Sequence, residues 1–172
     1  MKGLGKMLLI ILAAVVMLAM LAGCGGEKVE VKLLPQDANL EKASDVVIEP
    51  KKAPYNLGGW LENNEVSWKV DIPRSGMYQI LIEYSRPGNE PKASGLLVLS
   101  SPGKEVQRLK FSAHPTGKDS GDWSVYTIND NCGSNLEKGP LTLSIRPSFA
   151  TDYIGTEYFM NLRSVTLRLE EK

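Results

Sequence analysis

Residues 66–72 (VSWKVDI) decide the fold, because apolar and polar residues alternate along them without exception. A period of two places the apolar side chains on one face, as in a β-strand with one buried side. Residues 73–76 (PRSG) have the composition of a turn, and residues 77–84 (MYQILIEY) have that of a second strand. The sequence therefore predicts a β-hairpin in which Trp68 and Tyr78 can share one face of the core.

The strand pattern continues along the chain on the C-terminal side of this stretch. Breaker-rich segments at 85–91 and 114–122 separate further apolar runs, and the prolines fall at strand ends or in loops. No convincing amphipathic helix interrupts the pattern. Roughly eight or nine short strands without a helix predict an all-β domain, an antiparallel β-sandwich. The further strands are predicted at 96–99, 106–111, 123–128, 141–145 and 165–169.

The chain begins with a different kind of segment. Residues 7–22 (MLLIILAAVVMLAMLA) are uninterrupted apolar residues, preceded by Lys2 and Lys6 and by no acid. A transmembrane helix usually needs about 20 apolar residues, whereas a short run behind a basic start is typical of a signal peptide. The run ends in residues 21–24 (LAGC), and this combination resembles a bacterial lipoprotein signal.

The lipoprotein resemblance implies cleavage before Cys24 and lipidation of its sulfur, which would anchor the protein to a membrane. We predict a signal peptide with an N-terminal helix at 1–23, a lipidated Cys24 with a short tether at 24–28, and the β-sandwich at 29–172. The predicted location is the bacterial cell envelope, outside the cytoplasm. Four tether residues reach at most ~14 Å, so the domain should lie close to the bilayer. The alternative is an uncleaved anchor helix with a chance cysteine.

Composition excludes several classes of protein. The 172 residues carry 20 basic and 20 acidic side chains, so there is no basic field for nucleic acid. One histidine and two cysteines are too few for a histidine-rich metal site or a disulfide framework. We predict that Cys132 is a passive loop residue and no nucleophile, and that His114 is a loop residue and no general base.

Several phrases follow one another in a recognisable order: 33–38 (LLPQDA), 56–60 (NLGGW), 66–78 (VSWKVDIPRSGMY), 116–117 (TG) leading to 122–123 (DW), 136–139 (LEKG) and 159–165 (FMNLRSV). Together they resemble the galactose-binding-like jelly roll, in particular carbohydrate-binding module families six and thirty-five and accessory domains of bacterial glycosidases such as α-L-fucosidases. The resemblance covers nearly all of residues 29–172. It implies a jelly-roll β-sandwich that binds glycans.

The resemblance also implies a sugar site at one end of the sandwich. In these families the site uses an aromatic residue after the first long loop, another after the Thr-Gly phrase, and an Asn that opens the last strand. These places correspond to Tyr55 or Trp60, to Trp123 and to Asn161. An aromatic ring can stack on the apolar C–H face of a sugar, while amides pair with its hydroxyls. Core packing is the alternative for Trp60 and Trp123, and a turn role is the alternative for Asn161.

The chain departs from the family pattern at two places. Many relatives hold a structural calcium with a Glu and an Asp at the positions of Gln36 and Arg163. A guanidinium cannot replace a carboxylate ligand, so we expect no calcium there and no other cofactor. The segment 118–122 is longer than usual, which could move Trp123 away from the site.

Three classes of function follow from these observations. The first is a non-catalytic glycan-binding domain on a membrane-anchored lipoprotein. The second is a structural or assembly lipoprotein of the envelope, whose sandwich contacts a protein partner. An enzyme ranks third, because surface acids in β-loops are ordinary and no catalytic motif accompanies them. The acids considered are Glu62, Glu65, Asp119 and Asp122.

Overall fold

The computed structural model describes residues 28–104, 106–148 and 158–171. Apart from one 3₁₀ turn at Pro35–Asp37, the regular structure in these ranges is β-strand. The strands are β1 (Glu30–Leu33), β2 (Asn39–Lys42), β3 (Val47–Glu49), β4 (Asn56–Gly58), β5 (Glu65–Ile72), β6 (Gly76–Ser85), β7 (Ala93–Ser100), β8 (Gln107–Ala113), β9 (Tyr126–Leu136), β10 (Gly139–Pro147) and β11 (Asn161–Leu169).

The predicted signal peptide and Cys24 lie outside the described residues, so cleavage, lipidation and the domain boundaries stay predictions. In the part of the chain that the structure describes, no helix is long and apolar enough to cross a membrane.

The strands form two antiparallel sheets that pack face to face. In the first sheet the order is β3-β4-β11-β6-β9, and β1 also pairs with β11. In the second sheet the order is β2-β5-β10-β7-β8. The predicted antiparallel β-sandwich is therefore confirmed, with eleven described strands where the pattern predicted roughly eight or nine. The additional strands are short ones such as β3 and β4, which have three residues each.

The predicted hairpin at residues 66–84 is wrong, although both of its strands exist. β5 pairs with β10 and β2 in one sheet, whereas β6 pairs with β11 and β9 in the other. The turn between them therefore carries the chain from one sheet to the opposite one. A hairpin and a connection between opposite sheets give the same alternation of apolar and polar residues in the sequence, because in both cases the apolar side chains of the two strands face the core.

Two hydrogen bonds hold this crossing in place. The Tyr78 hydroxyl donates to the Arg74 carbonyl at 2.7 Å, and the Lys138 amide donates to the Ser75 hydroxyl at 2.8 Å. Burial raises the pKa of the Tyr78 hydroxyl, which keeps it a neutral donor. The turn between β5 and β6 is thereby fixed to the turn between β9 and β10.

The core lies between the two sheets and contains the residues that the alternation selected. Trp68 of β5 and Tyr78 of β6 are buried from opposite sheets, which confirms that Trp68 is a packing residue. The indole N–H of Trp68 donates to the Leu34 carbonyl at 2.9 Å, so its one polar group is satisfied inside the core. This bond also fixes the segment after β1 over the sandwich.

Cys132 is a strand residue, and its prediction as a loop residue is wrong. It lies in the middle of β9 opposite Ile80, and its side chain is buried. Burial raises the pKa of the thiol, which makes it a weaker nucleophile. His114 is exposed and directly follows β8, as the loop prediction required, and its backbone N–H donates to the Tyr84 hydroxyl at 2.9 Å.

The two ends of the sandwich differ. The turn end carries the short connections 73–75 and 137–138, while the loop end carries the longer segments 59–64, 86–92 and 114–125. β1 runs antiparallel to β11 with Glu30 opposite Arg168, so the chain enters the described domain at the turn end. The loop end, where β11 begins, lies at the other end of the strands.

We predict that Gly95→Ala destabilises the fold. A Cβ at Gly95 would overlap the Phe111 ring and lie 2.8 Å from Cζ of Phe159, so the core would have to shift. Overpacking of this kind costs about 1–3 kcal/mol of unfolding free energy. Urea denaturation measures it, with Gly133→Ala as the control, because a Cβ there meets nothing closer than the Tyr78 carbonyl at 3.4 Å. Equal stability of the two variants would contradict the packing described.

Candidate functional site: an aromatic cleft at the loop end

A cleft of about 620 Å³ opens at the loop end of the sandwich. Its walls come from β3 and the segment before it, from the loop after β4, from the segment before β9 and from the start of β11. The lining combines two aromatic rings, one amide, two carboxylates and small apolar groups. The residues are Asp45, Val47, Glu49, Gly59, Leu61, Trp123, Tyr158 and Asn161.

Trp123 forms one wall, and its backbone is held from two sides. The buried Ser85 hydroxyl at the end of β6 donates to the Trp123 carbonyl at 2.8 Å. On the other side, the Asp122 carboxylate accepts hydrogen bonds from the Ser124 hydroxyl, the Lys118 amide and the Ser124 amide, at 2.5, 3.0 and 3.0 Å. These bonds, with the Ser124 hydroxyl foremost, lower the pKa of Asp122. The long segment 118–122 is thus folded on itself and leaves Trp123 in the cleft.

Asn161 opens β11 and lies beside the carboxylate of Glu49. A Cβ at Gly58 would overlap Glu49 Oε1 and would lie 3.1 Å from Asn161 Oδ1, so the Glu49 carboxylate fills the space over this glycine and lies close to the Asn161 amide. The buried Asn56 amide donates to Glu49 Oε1 at 3.3 Å. One side of the cleft therefore presents several oxygen acceptors close together.

Tyr158 is the second aromatic residue of the cleft, and its side chain is 50% exposed. The next residue, Phe159, is buried edge-on against Trp60, with ring centroids 5.7 Å apart and an interplanar angle of 88°. The Phe159 amide donates to the Trp60 carbonyl at 2.8 Å. Trp60 thereby holds the loop after β4 against the segment before β11, and both segments line the cleft.

Arg86, directly after β6, organises the whole loop end. Its side chain has no solvent exposure, and one guanidinium nitrogen donates to the carbonyls of Tyr158, at 3.1 Å, and Phe159. The other nitrogen donates to the Glu90 carboxylate and the Pro91 carbonyl, each at 3.1 Å. One buried cation thus ties the segment before β11 to the loop between β6 and β7.

The backbone of Arg86 fixes a third segment. Its carbonyl accepts from the amides of Thr116 and Gly117 at 3.1 and 2.9 Å, and its amide donates to the Thr116 hydroxyl at 2.9 Å. The Thr116 hydroxyl also lies 2.6 Å from the Val125 carbonyl. The hydrogen bonds of Thr116 and Gly117 therefore fix the course of the chain between β8 and Trp123.

The structure brings together two of the four residues predicted for the sugar site, Trp123 and Asn161. Trp60 is fully buried and its indole N–H donates to the Asn64 carbonyl at 3.1 Å, so core packing is the interpretation that the structure supports. Tyr55 is half-buried and does not line this cleft, and its contact with a ligand stays a prediction.

Sequence reasoning missed Tyr158, Asp45, Glu49 and Arg86. Tyr158 stands directly before residues 159–165 (FMNLRSV), which contain Asn161. An aromatic residue next to this segment is the signal that could have indicated it. Glu49 lies in β3 and Asp45 just before it, and a strand of three residues is too short to show the alternation of apolar and polar residues. An arginine between a strand and a proline is the signal that could have indicated Arg86.

The structure gives Arg163 a role that does not fit a calcium site. Its guanidinium lies 3.4 Å from the centre of the Tyr126 ring and 3.3 Å from Glu83 Oε1. A cation already neutralises Glu83 at this place, and Gln36 is an exposed residue of the 3₁₀ turn. Within residues 28–104, 106–148 and 158–171 no three Asp, Glu, His or Cys side chains are grouped to hold a metal ion.

A second concavity, of about 440 Å³, lies at the turn end. The ion pair between Lys104 and Glu137, 2.9 Å long, contributes to its wall, and no aromatic side chain lines it. The acids considered for catalysis, Glu62, Glu65, Asp119 and Asp122, line neither cavity. Aromatic rings and hydrogen-bonding groups therefore converge at the loop-end cleft.

Solved structures with the same fold include carbohydrate-binding modules. The family 35 module from Clostridium thermocellum, in its native form, is 15% identical, with a TM-score of 0.58 over 81% of this chain and 97% of that one. The family 35 module of Abf62 from Cellvibrio japonicus is 19% identical, with a TM-score of 0.58 over 81% and 92%. Xyl-CBM35, solved with a glucuronic acid containing disaccharide, is 18% identical, with a TM-score of 0.56 over 80% and 91%.

No protein-family profile and no curated protein matches the chain. At these low identities the structural likeness establishes the fold alone. The described domain thus has the jelly-roll sandwich fold that these carbohydrate-binding modules share, as the resemblance in the sequence predicted.

We predict that Arg86→Met destabilises the protein by about 3–5 kcal/mol, because it removes the charged donor that binds the carbonyls of Tyr158, Phe159 and Pro91 and that pairs with the Glu90 carboxylate. Chemical denaturation measures the loss. Arg146→Met is the matched control, since Arg146 is exposed on β10 and should change stability by no more than about 0.5 kcal/mol. Equal effects of the two substitutions would show that Arg86 does not organise the loop end.

Proposed function

We propose that the protein is a non-catalytic glycan-binding lipoprotein, and that the loop-end cleft is its binding site. The observation that carries the proposal is the meeting of Trp123, Tyr158 and Asn161 in one cleft. Each aromatic ring offers a plane for the apolar face of a sugar, and the amide both donates to and accepts from hydroxyl groups. The fold of carbohydrate-binding modules supports the same interpretation.

The position of the cleft suits a protein held at a membrane. The chain enters the described domain at the turn end, and the tether predicted from Cys24 is short, whereas the cleft lies at the loop end. The ten-residue strand β6 spans about 30 Å between the two ends. A lipid on Cys24 would therefore place the turn end near the bilayer and direct the cleft away from it.

Many copies on one membrane would compensate for weak binding by each site. A small cleft with two aromatic walls buries little surface, so its affinity for one sugar segment should be modest. Copies that share a membrane can bind one polysaccharide chain together, and the second contact is then effectively intramolecular. We infer that the protein retains a polysaccharide at the cell envelope.

We predict that Trp123→Ala weakens glycan binding at least about tenfold, because it removes a stacking surface from the cleft. Isothermal titration calorimetry of purified protein against a panel of soluble oligosaccharides measures the change. Met77→Ala is the control, because Met77 is an exposed apolar side chain at the turn end that lines neither cavity, and this variant should bind as wild type does. No binding to any member of the panel, together with a stoichiometric envelope protein in pull-downs, would support the assembly alternative instead.

We predict that Cys24→Ser moves the protein from the membrane fraction to the soluble fraction of cells, since it removes the thiol that would carry the lipid. Fractionation followed by immunoblotting measures the distribution. Cys132→Ser is the control, because that buried cysteine lies within β9 and has no part in anchoring. A Cys24→Ser protein that still fractionates with membranes would refute the lipoprotein proposal.

A further inference from the structure

The wall of the loop-end cleft is negatively charged, and binding of a neutral sugar would not require this charge. Asp45 and Glu49 line the cleft, and no Lys, Arg or His does so. Among the described residues, the five ion pairs involve other acids, so neither carboxylate has a basic side chain as its partner. The cleft therefore combines aromatic surfaces with two uncompensated negative charges.

Both carboxylates are held by amides that are themselves buried. Nδ2 of Asn64, a residue 4% exposed, donates to Asp45 Oδ2 at 3.0 Å. Nδ2 of Asn56, 7% exposed, donates to Glu49 Oε1 at 3.3 Å. Each bond uses one oxygen of the carboxylate, which leaves acceptor capacity for a ligand. The buried amides of Asn56 and Asn64 thus fix the orientation of two surface carboxylates. Ordinary surface acids have no such buried partner.

The acceptors on this side favour a ligand that brings donors and positive charge. The Glu49 carboxylate lies over Gly58, and Asn161 Oδ1 lies 3.1 Å from the position that a Cβ of Gly58 would take, so the two acceptors are close together and a hydroxyl or ammonium group beside them could reach both. An ammonium group has three donors and attracts both carboxylates, whereas the carboxylate of a uronic acid would meet like charge. The aromatic rings accept the apolar face of either sugar and do not discriminate between them.

Resting on the glycan proposal, we propose that the cleft selects amino sugars with a free ammonium group. Asp45 and Glu49 are then the specificity-determining residues, and Trp123 and Tyr158 supply the stacking surface common to all sugars. The ligand class is a polysaccharide that contains unacetylated hexosamine.

Calorimetry of the purified full chain against three matched oligosaccharides tests this selection: one of glucosamine, one of N-acetylglucosamine and one of galacturonate. We expect the glucosamine oligosaccharide to bind at least about tenfold more tightly than the other two. Its advantage should shrink as sodium chloride is raised, because salt screens the attraction.

Charge-removing variants identify the residues responsible. Asp45→Asn and Glu49→Gln keep an oxygen for the buried amides and should each reduce the preference for glucosamine, with unchanged thermal stability. Asp71→Asn, at an exposed position of β5 near the turn end, should leave the preference unchanged. Equal or tighter binding of the neutral or acidic oligosaccharide overturns the amino-sugar proposal alone. Absence of binding to all three, and to the wider panel, overturns the glycan proposal with it.

Discussion

The loop end of this domain depends on one buried cation. Placing the Arg86 guanidinium out of water costs several kcal/mol, and the hydrogen bonds of its two terminal nitrogens offset that cost, while its buried Nε bonds to none of the described residues. Here the acceptors are backbone carbonyls and one carboxylate from two separate segments, while the backbone of the same residue binds a third. At the loop end this charge-assisted network adds to the packing of Trp60 against Phe159.

The consequence for function is rigidity where loops would otherwise move. The segment that carries Tyr158 and leads to Asn161 is fixed by the guanidinium, and the segment that carries Trp123 is fixed through Thr116 and Ser85. A preformed cleft loses less conformational entropy when it binds, which matters most for a site that buries little surface. Stability of the fold and readiness of the site therefore come from the same hydrogen bonds.

The sequence predicted the strands well because alternation is a local signal. It did not predict the sheet to which each strand belongs, since that depends on partners as distant as β5 and β10 or β6 and β11. The 73–75 turn illustrates the limit, because its residues suit a hairpin and a crossing between sheets equally. Cys132 shows a second limit: the neighbouring Gly133 suits a loop, whereas the strand alternates between the core and the exposed face.

The candidate site was predictable in part for the same reason. Trp123 and Asn161 belong to phrases whose order resembles a known fold, so their meeting at one end could be expected. Trp60 could not be assigned from its neighbours, because the glycines beside it suit a loop while its ring packs against Phe159, about a hundred residues away. Glu49 reaches the cleft through the pairing of β3 with β4, and Asp45 through its hydrogen bond with Asn64, nineteen residues away along the chain.

The central claim, that this cleft binds glycans, can be tested through the three tryptophans of the chain. The indole N–H groups of Trp60 and Trp68 are buried and bonded to backbone carbonyls, whereas Trp123 lines the cleft. In ¹⁵N-correlated NMR spectra of the purified protein, titrated with the oligosaccharide panel, we expect the Trp123 indole signal to shift and the other two to stay in place. An unmoved Trp123 signal with every oligosaccharide that binds in calorimetry would show that the glycan binds elsewhere.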